Sequence, residues 1–196
     1  MRIVFATGNK DKMREIRQIL GALPYEIVSM KEAGVDIDIV EDGSTFEENA
    51  MIKARAVAEH CDDIVLADDS GLEIDYLNKE PGIYSARYLG RETPYPEKNA
   101  QILEKLSGVP DSQRSARFVC AIAAHIPDGR EFVVRGTMEG IIGHEIAGEN
   151  GFGYDPIFFL PEYGKTSAEI SPEEKNEVSH RGKALRMMAD KLREEL

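Results

Sequence analysis

The chain has 196 residues, 42% of them hydrophobic and 31% charged, with a formal net charge of −12. That length suits one domain, or two small lobes, with a buried core. The acidic balance argues against broad, sequence-independent binding of nucleic acid, which needs a basic surface. It leaves room for a small phosphate ligand held by a few local cations. Cys61 and Cys120 lie far apart in apolar stretches and read as two buried thiols, not a disulfide scaffold. His60, His125, His144 and His180 are scattered, without zinc-ligand spacing. No apolar run approaches the roughly 18 residues of a membrane span, and the N-terminal run is too short for a signal peptide. The expected location is the cytoplasm.

In chain order, "RIVFA" (Arg2–Ala6) reads as a strand, broken by "TGNK" and followed by "KDKMREIRQIL", where Met13, Ile16, Ile19 and Leu20 have helical spacing. "EIVSM" (Glu26–Met30) reads as a second strand. Ser44-Thr45-Phe46-Glu47 has the form of a capping box, opening a helix to about His60. Its apolar stripe is Phe46, Ala50, Ala54, Val57 and Ala58. Thr45, Asn49 and Lys53 recur every four residues as a polar stripe. "DDIVLA" (Asp62–Ala67) is a strand running into Asp68-Asp69-Ser70-Gly71. "PEKNAQILEKL" (Pro96–Leu106) is a helix with Ile102, Leu103 and Leu106 inward. "ARFVCAIAAHI" and "REFVVRGTMEGII" flank the turn Pro127-Asp128-Gly129 and predict a hairpin. Ser171-Pro172-Glu173-Glu174 predicts a capped helix, with a restart at Ser179, to the C-terminus. Early alternation of strand and helix, then a hairpin, then helix, predicts α/β architecture with a mixed sheet.

Some stretches carry residue types suited to phosphate chemistry. In "FATGNKDK" a glycine follows a strand, and the amides opening the next helix favour an anion. Lys10 and Lys12 add positive charge. "GKT" at Gly164-Lys165-Thr166 is not a phosphate loop, because the upstream glycine that loop requires falls at Phe159. The glutamate-rich helix of a Nudix hydrolase is also missing from the sequence. Glu41 and Asp42 precede the capped helix, where acids favour its positive end. Asn49 and Lys53 suit either a solvated stripe or a site. Asp68 and Asp69 raise the sharper question. Successive side chains of a strand diverge, and an anion beside a core is costly unless paired or metal-bound. An Asp-Ser-Gly turn is the plain reading. The other is a carboxylate at a strand's carboxyl end, where α/β proteins bind ligands. Mg²⁺ takes one or two carboxylates plus substrate phosphates, and Glu41 with Asp69 could be that pair.

Together "FATGNKDK", "EDGSTFEENAMIKARA", "LADDSGLEIDYLNKEPGIYSARY", "GFGYDPIF" and "EKNEVSHRGKAL" closely resemble the inosine triphosphate pyrophosphatase family, from Phe5 to Leu185. The resemblance implies a single domain over residues 1–196, in two α/β lobes around an elongated mixed sheet flanked by helices. It implies an active-site cleft between the lobes, a homodimer and dependence on Mg²⁺. The implied reaction converts deaminated purine triphosphates (dITP, ITP, XTP) to the monophosphate and pyrophosphate, cleansing the nucleotide pool. By position, Thr7, Gly8, Asn9, Lys10, Asp11 and Lys12 would cradle the triphosphate. Glu41 and Asp69 would hold the metal, and Asp69 would also orient or deprotonate the attacking water. Asp68 would support that site, Lys53 would reach the phosphates, and Ser70 would touch the substrate. Phe152, Gly153, Tyr154, Asp155, Lys175, His180 and Arg181 would surround base and sugar, with Phe152 stacking on the ring. Arg87 is a further candidate for phosphate contact. Donors from His180 and Arg181 would favour the 6-keto oxygen of hypoxanthine and xanthine over the amino group of adenine.

Overall fold

The computed structural model describes residues 2–196 and gives an α/β fold. In chain order its elements are β1 (Arg2–Phe5), α1 (Lys10–Leu20), β2 (Glu26–Ser29), α2 (Phe46–Ala58) and β3 (Ile64–Ile74). Then come α3 (Tyr95–Lys105), β4 (Ser115–His125), β5 (Glu131–Ile142), β6 (Phe158–Leu160), β7 (Lys165–Thr166), α4 (Pro172–Val178) and α5 (His180–Glu195). The seven strands form one mixed sheet in the order β2-β1-β3-β4-β5-β6-β7. β1 pairs in parallel with β2 and β3, whereas β6 pairs antiparallel with β5 and β7. The chain divides into two compact units. The first comprises residues 1–70, 120–136 and 180–196, and the second residues 71–119 and 137–179.

In the first unit, parallel pairing requires both faces of the sheet to be covered, so the strands read as continuous apolar runs. Ile3, Val4 and Phe5 of β1, and Ile64, Val65 and Leu66 of β3, are all fully buried. Ile3, Phe5, Ile64, Leu66, Ile122 and Ala124 cluster with Met13, Ile16 and Leu20 of α1 and with Leu185, Met188 and Leu192 of α5. Each of the Ile, Leu, Phe and Met side chains among them contributes about 1.5–3 kcal/mol by leaving water. Asn9 caps α1, its Oδ1 accepting from the amides of Asp11 at 2.9 Å and Lys12 at 3.1 Å. α5 opens directly against β5. A Cβ on Gly136 would lie 2.4 Å from the carbonyl oxygen of His180 and 2.8 Å from the amide of Ala184. Only a residue without a side chain lets the helix start there.

The second unit has its own core, including Leu72, Ile74, Ile102, Leu106, Phe118, Ile142 and Phe158. Arg114 is also buried in this unit, only 2% exposed. Its guanidinium donates to the carbonyls of Ile142 (2.7 Å), Leu106 (2.7 Å), Val109 (3.2 Å) and Gly143 (2.6 Å). Burial pulls its pKa down from the ordinary value.

Several sequence expectations shift on inspection. The strand from Asp62 does not stop at a turn after Ala67: β3 continues through Asp68-Asp69-Ser70-Gly71 to Ile74, because pairing and burial override the weak strand preference of Asp, Ser and Gly. The cap of α2 sits one residue later than expected. Thr45 is the N-cap, accepting from Glu48 N, and Glu48 rather than Glu47 reaches back, to the amide and hydroxyl of Ser44. That helix ends at Ala58, and α3 spans Tyr95–Lys105, with Leu103 only partly buried. Cys120 is buried as expected, but Cys61 is half-exposed. The hairpin turn is present, with Ile126 N donating to Arg130 O at 2.9 Å. So is the capping box of Ser171 and Glu174. Lys165-Thr166 is strand β7, not a phosphate loop.

Candidate active site

The two adjacent acids of β3 have sharply different surroundings, all within the first unit. Asp68 is 1% exposed. Its Oδ2 meets Lys12 Nζ at 3.0 Å and Arg181 Nη2 at 3.6 Å, and accepts from Ser70 Oγ at 3.0 Å. Burial favours the neutral acid, but the cations Lys12, Arg181 and Lys53 together outweigh it, holding this carboxyl well below the usual range. Asp68 is therefore an internal counter-ion that fastens α1, β3 and α5 together. Arg181 is in turn bracketed, since its Nη1 pairs with Glu15 of α1.

Asp69 has a thinner set of partners. Its Oδ1 accepts from Lys53 Nζ at 3.4 Å, and the same ammonium lies 3.2 Å from Glu41 Oε2. Burial pushes the Asp69 carboxyl up, to about 6. Lys53 opposes the shift, while the negative charges of Glu41 and Asp68 add to it. Lys53 itself is desolvated, yet Asp68, Asp69 and Glu41 keep it charged. The carboxylate oxygens Asp69 Oδ2 and Asp68 Oδ1 are buried and have no hydrogen-bond partner. A buried, unpartnered carboxylate oxygen is unfavourable in isolation and marks a place where a cation or a donor belongs.

The polar stripe on α2 is not solvated surface. Asn49 is 1% and Lys53 9% exposed. Periodicity showed that the two share a face, but not that this face turns inward. Asn49 accepts from Gly43 N at 2.8 Å, tying the segment after Glu41 and Asp42 to the helix. Glu41 and Asp69 offer oxygen donors of the kind a hard divalent cation prefers. Among the described residues no group of three or more His, Cys, Asp or Glu side chains forms a metal cage.

Of the expected triphosphate cradle, Thr7 is buried and Gly8, Asn9 and Lys10 are exposed. Thr7 Oγ1 accepts from Asn9 N at 3.1 Å, so three amides of this turn already have partners inside the chain. Asp11 and Lys12 are half-buried, His180 and Arg181 open α5, and Ser70 is half-buried. All of these belong to the first unit.

Phe152, Gly153, Tyr154, Asp155, Lys175 and Arg87 belong to the second unit. Tyr154 is a core residue: its ring meets Tyr95 edge-on at 5.2 Å and its hydroxyl donates to Ser85 O at 2.6 Å. Burial raises its phenol pKa. Asp155 and Lys175 form a buried ion pair of 2.7 Å. The Arg87 guanidinium lies 4.8 Å from the centre of the Tyr84 ring. Sequence reasoning missed Glu15, and also Ser167, whose Oγ donates to Asp155 Oδ1 at 2.6 Å. The only available signal for Glu15 was its place one helical turn beyond Lys12, and its partner Arg181 is 166 residues away.

The model of the Ham1 family matches residues 3–191. The chain is 46% identical to a dITP/XTP pyrophosphatase of Clostridium perfringens, across 98% of this chain and 97% of that one. It is 47% identical to a dITP/XTP pyrophosphatase of Escherichia coli O157:H7, across 98% of each. Among solved structures, the Staphylococcus aureus Ham1 protein superposes with a TM-score of 0.90 at 42% identity, over all of both chains. A HAM1 protein from Coxiella burnetii gives a TM-score of 0.90 at 43% identity, over 99% of each.

Proposed function

The chain belongs to the Ham1 family, and from that membership we propose how its carboxylates work. The protein is a nucleoside-triphosphate diphosphatase that hydrolyses deaminated purine nucleoside triphosphates, as its dITP/XTP pyrophosphatase relatives are named for doing. The products are the monophosphate and pyrophosphate, so the bond broken joins the first phosphoryl group to the second. One observation carries the catalytic reading: neighbouring acids on β3 are driven in opposite directions, Asp68 locked as a counter-ion between Lys12 and Arg181 and Asp69 met only by Lys53 at 3.4 Å and pushed up by burial.

Phosphoryl hydrolysis is mainly a matter of positioning and of neutralising charge. Lys10, Lys12 and Lys53 supply cations to the triphosphate. One unit pair near 4 Å is worth about 4 kcal/mol at an effective dielectric of about 20, which offsets the unfavourable mean field of an acidic protein. Asp69, ionised above about pH 6, orients the attacking water and accepts its proton. Asp68 holds Lys12 and Arg181 in place, and Phe152 stacks on the base. Glu41 and Asp69 fit Mg²⁺ by donor chemistry and by the orphaned Asp69 oxygen, and such an ion would neutralise phosphate charge and polarise phosphorus. The homodimer implied by the sequence resemblance and the cytoplasmic location expected from the lack of a membrane-spanning run or signal peptide in the sequence belong to the same proposal. Two free thiols agree with a reducing compartment. Among the described residues no helix is long and apolar enough to cross a membrane.

A panel of ITP, dITP, XTP, GTP and ATP, with and without Mg²⁺, tests the reading by pyrophosphate release. Turnover of the deaminated purines with Mg²⁺ supports it. Release of orthophosphate alone, or no turnover, refutes it. Sedimentation velocity checks the dimer.

A further inference from the structure

Phe152 stands between two glycines in the left-handed region, Gly151 at φ +71° and Gly153 at φ +67°. Its own side chain is half-buried, so a chain with this much backbone freedom gives the ring no fixed direction by itself. What fixes it is a polar cluster beneath the turn. Asp155 Oδ2 accepts from Phe152 N at 2.9 Å and from Lys175 Nζ at 2.7 Å, while Oδ1 accepts from Ser167 Oγ at 2.6 Å. The Lys175 ammonium also lies 5.1 Å from the centre of the Phe152 ring, within cation–π range. The turn passes so close over the carboxylate that a Cβ on Gly151 would sit 2.2 Å from Asp155 Oδ2. On the other side, Gly153 O accepts from Asn99 Nδ2 at 3.1 Å.

Asp155 is 2%, Ser167 0% and Lys175 5% exposed. A carboxylate with three donors and almost no surface has little left to offer a ligand. We propose that Ser167, Asp155 and Lys175 form a buried relay that positions the Phe152 ring for the nucleobase, and that Ser167 and Asp155 act through that ring without touching the substrate. The inference rests on the diphosphatase reading above. It changes the expected role of Asp155 from substrate contact to support, and it brings in Ser167, a residue with no assigned part in the reaction.

A double-mutant cycle separates support from contact. Phe152→Ala should raise the KM for ITP roughly tenfold, the scale of one aromatic–base stack. Ser167→Ala should raise it roughly threefold to tenfold, the scale of one ordinary hydrogen bond felt through the position of the ring, with kcat little changed. In the Phe152→Ala background the second substitution should alter KM by less than about twofold, because the ring it supports is gone. The same fold-loss in both backgrounds, or an unchanged KM in Ser167→Ala, overturns the relay. Ser167→Cys, which keeps size and a weak donor, takes its place if the alanine variant fails to fold, and its KM should lie between those of wild type and Phe152→Ala. A wild-type protein that releases no pyrophosphate from any triphosphate sinks the diphosphatase reading and the relay together. An active wild type with an additive cycle sinks the relay alone.

Discussion

Replacing Asp69 by Asn should abolish turnover and yet make the metal-free protein more stable at neutral pH. The folded carboxyl has a pKa of about 6 against an ordinary 3.8, and that gap, at about 1.4 kcal/mol per pH unit, corresponds to a ceiling of about 3 kcal/mol. The sign follows from proton binding. A raised carboxyl pKa means that the folded state holds the proton more tightly than the unfolded state. Stability therefore falls as pH rises from about 4 to about 6, and the whole penalty persists above that range. Asn carries no such penalty. It does remove one of the anions beside Lys53, whose ammonium sits 3.4 Å away, so a net gain of about 1–2 kcal/mol is the reasonable outcome. Thermal unfolding in EDTA at pH 4 and pH 7.5 measures it. The variant should melt higher than wild type at pH 7.5, and the difference should vanish or reverse at pH 4. Added Mg²⁺ should raise the melting temperature of wild type but not of the variant. A variant that is less stable at pH 7.5, or a difference independent of pH, would refute the reasoning.

The neighbouring substitution should do the opposite. Asp68→Asn leaves Lys12 and Arg181 without their shared anion and should cost about 3–5 kcal/mol at pH 7. The folded pKa of Asp68 lies below its ordinary 3.8, so that loss shrinks below about pH 4; urea melts at both pH values test it. Lys53→Ala should lower kcat/KM for ITP by at least about tenfold, through lost attraction to the triphosphate and a worse environment for Asp69; steady-state pyrophosphate assays would show this, and an unchanged value would return Lys53 to a structural role. Arg114→Lys cannot satisfy four carbonyls spread around a planar guanidinium and should cost about 2–4 kcal/mol with KM unaltered, as read by thermal melts beside kinetics.

Local chemistry made much of this fold legible. Pro127-Asp128-Gly129 announced its hairpin, Ser171-Pro172 its helix, and the apolar spacing from Met13 to Leu20 its inward face, because each depends on residues near in sequence. The errors came where distant partners decide. Ser44 with Glu47 and Thr45 with Glu48 both satisfy the capping pattern, and only the observed bonds choose the second. Asp-Ser-Gly is ordinary turn chemistry, yet β3 carries it onward as strand. The site shows the same division. Asp68 and Asp69 could be seen to diverge from strand geometry alone, whereas the ions that give them opposite tendencies come from α1, α2 and α5. Ser167 and Glu15 carried no motif, since each matters only through a partner brought near by folding.

Gly136 bears on any attempt to redesign selectivity. The first turn of α5 rests backbone to backbone on β5 at that glycine, so main-chain contact, together with the ion pairs of Arg181 to Asp68 and Glu15, sets the bearing of that turn. Under the base-reading role that the family resemblance implies for His180 and Arg181, preference should change by exchanging the residues on that turn. A methyl group at position 136 would lever the whole helix away and move both side chains at once.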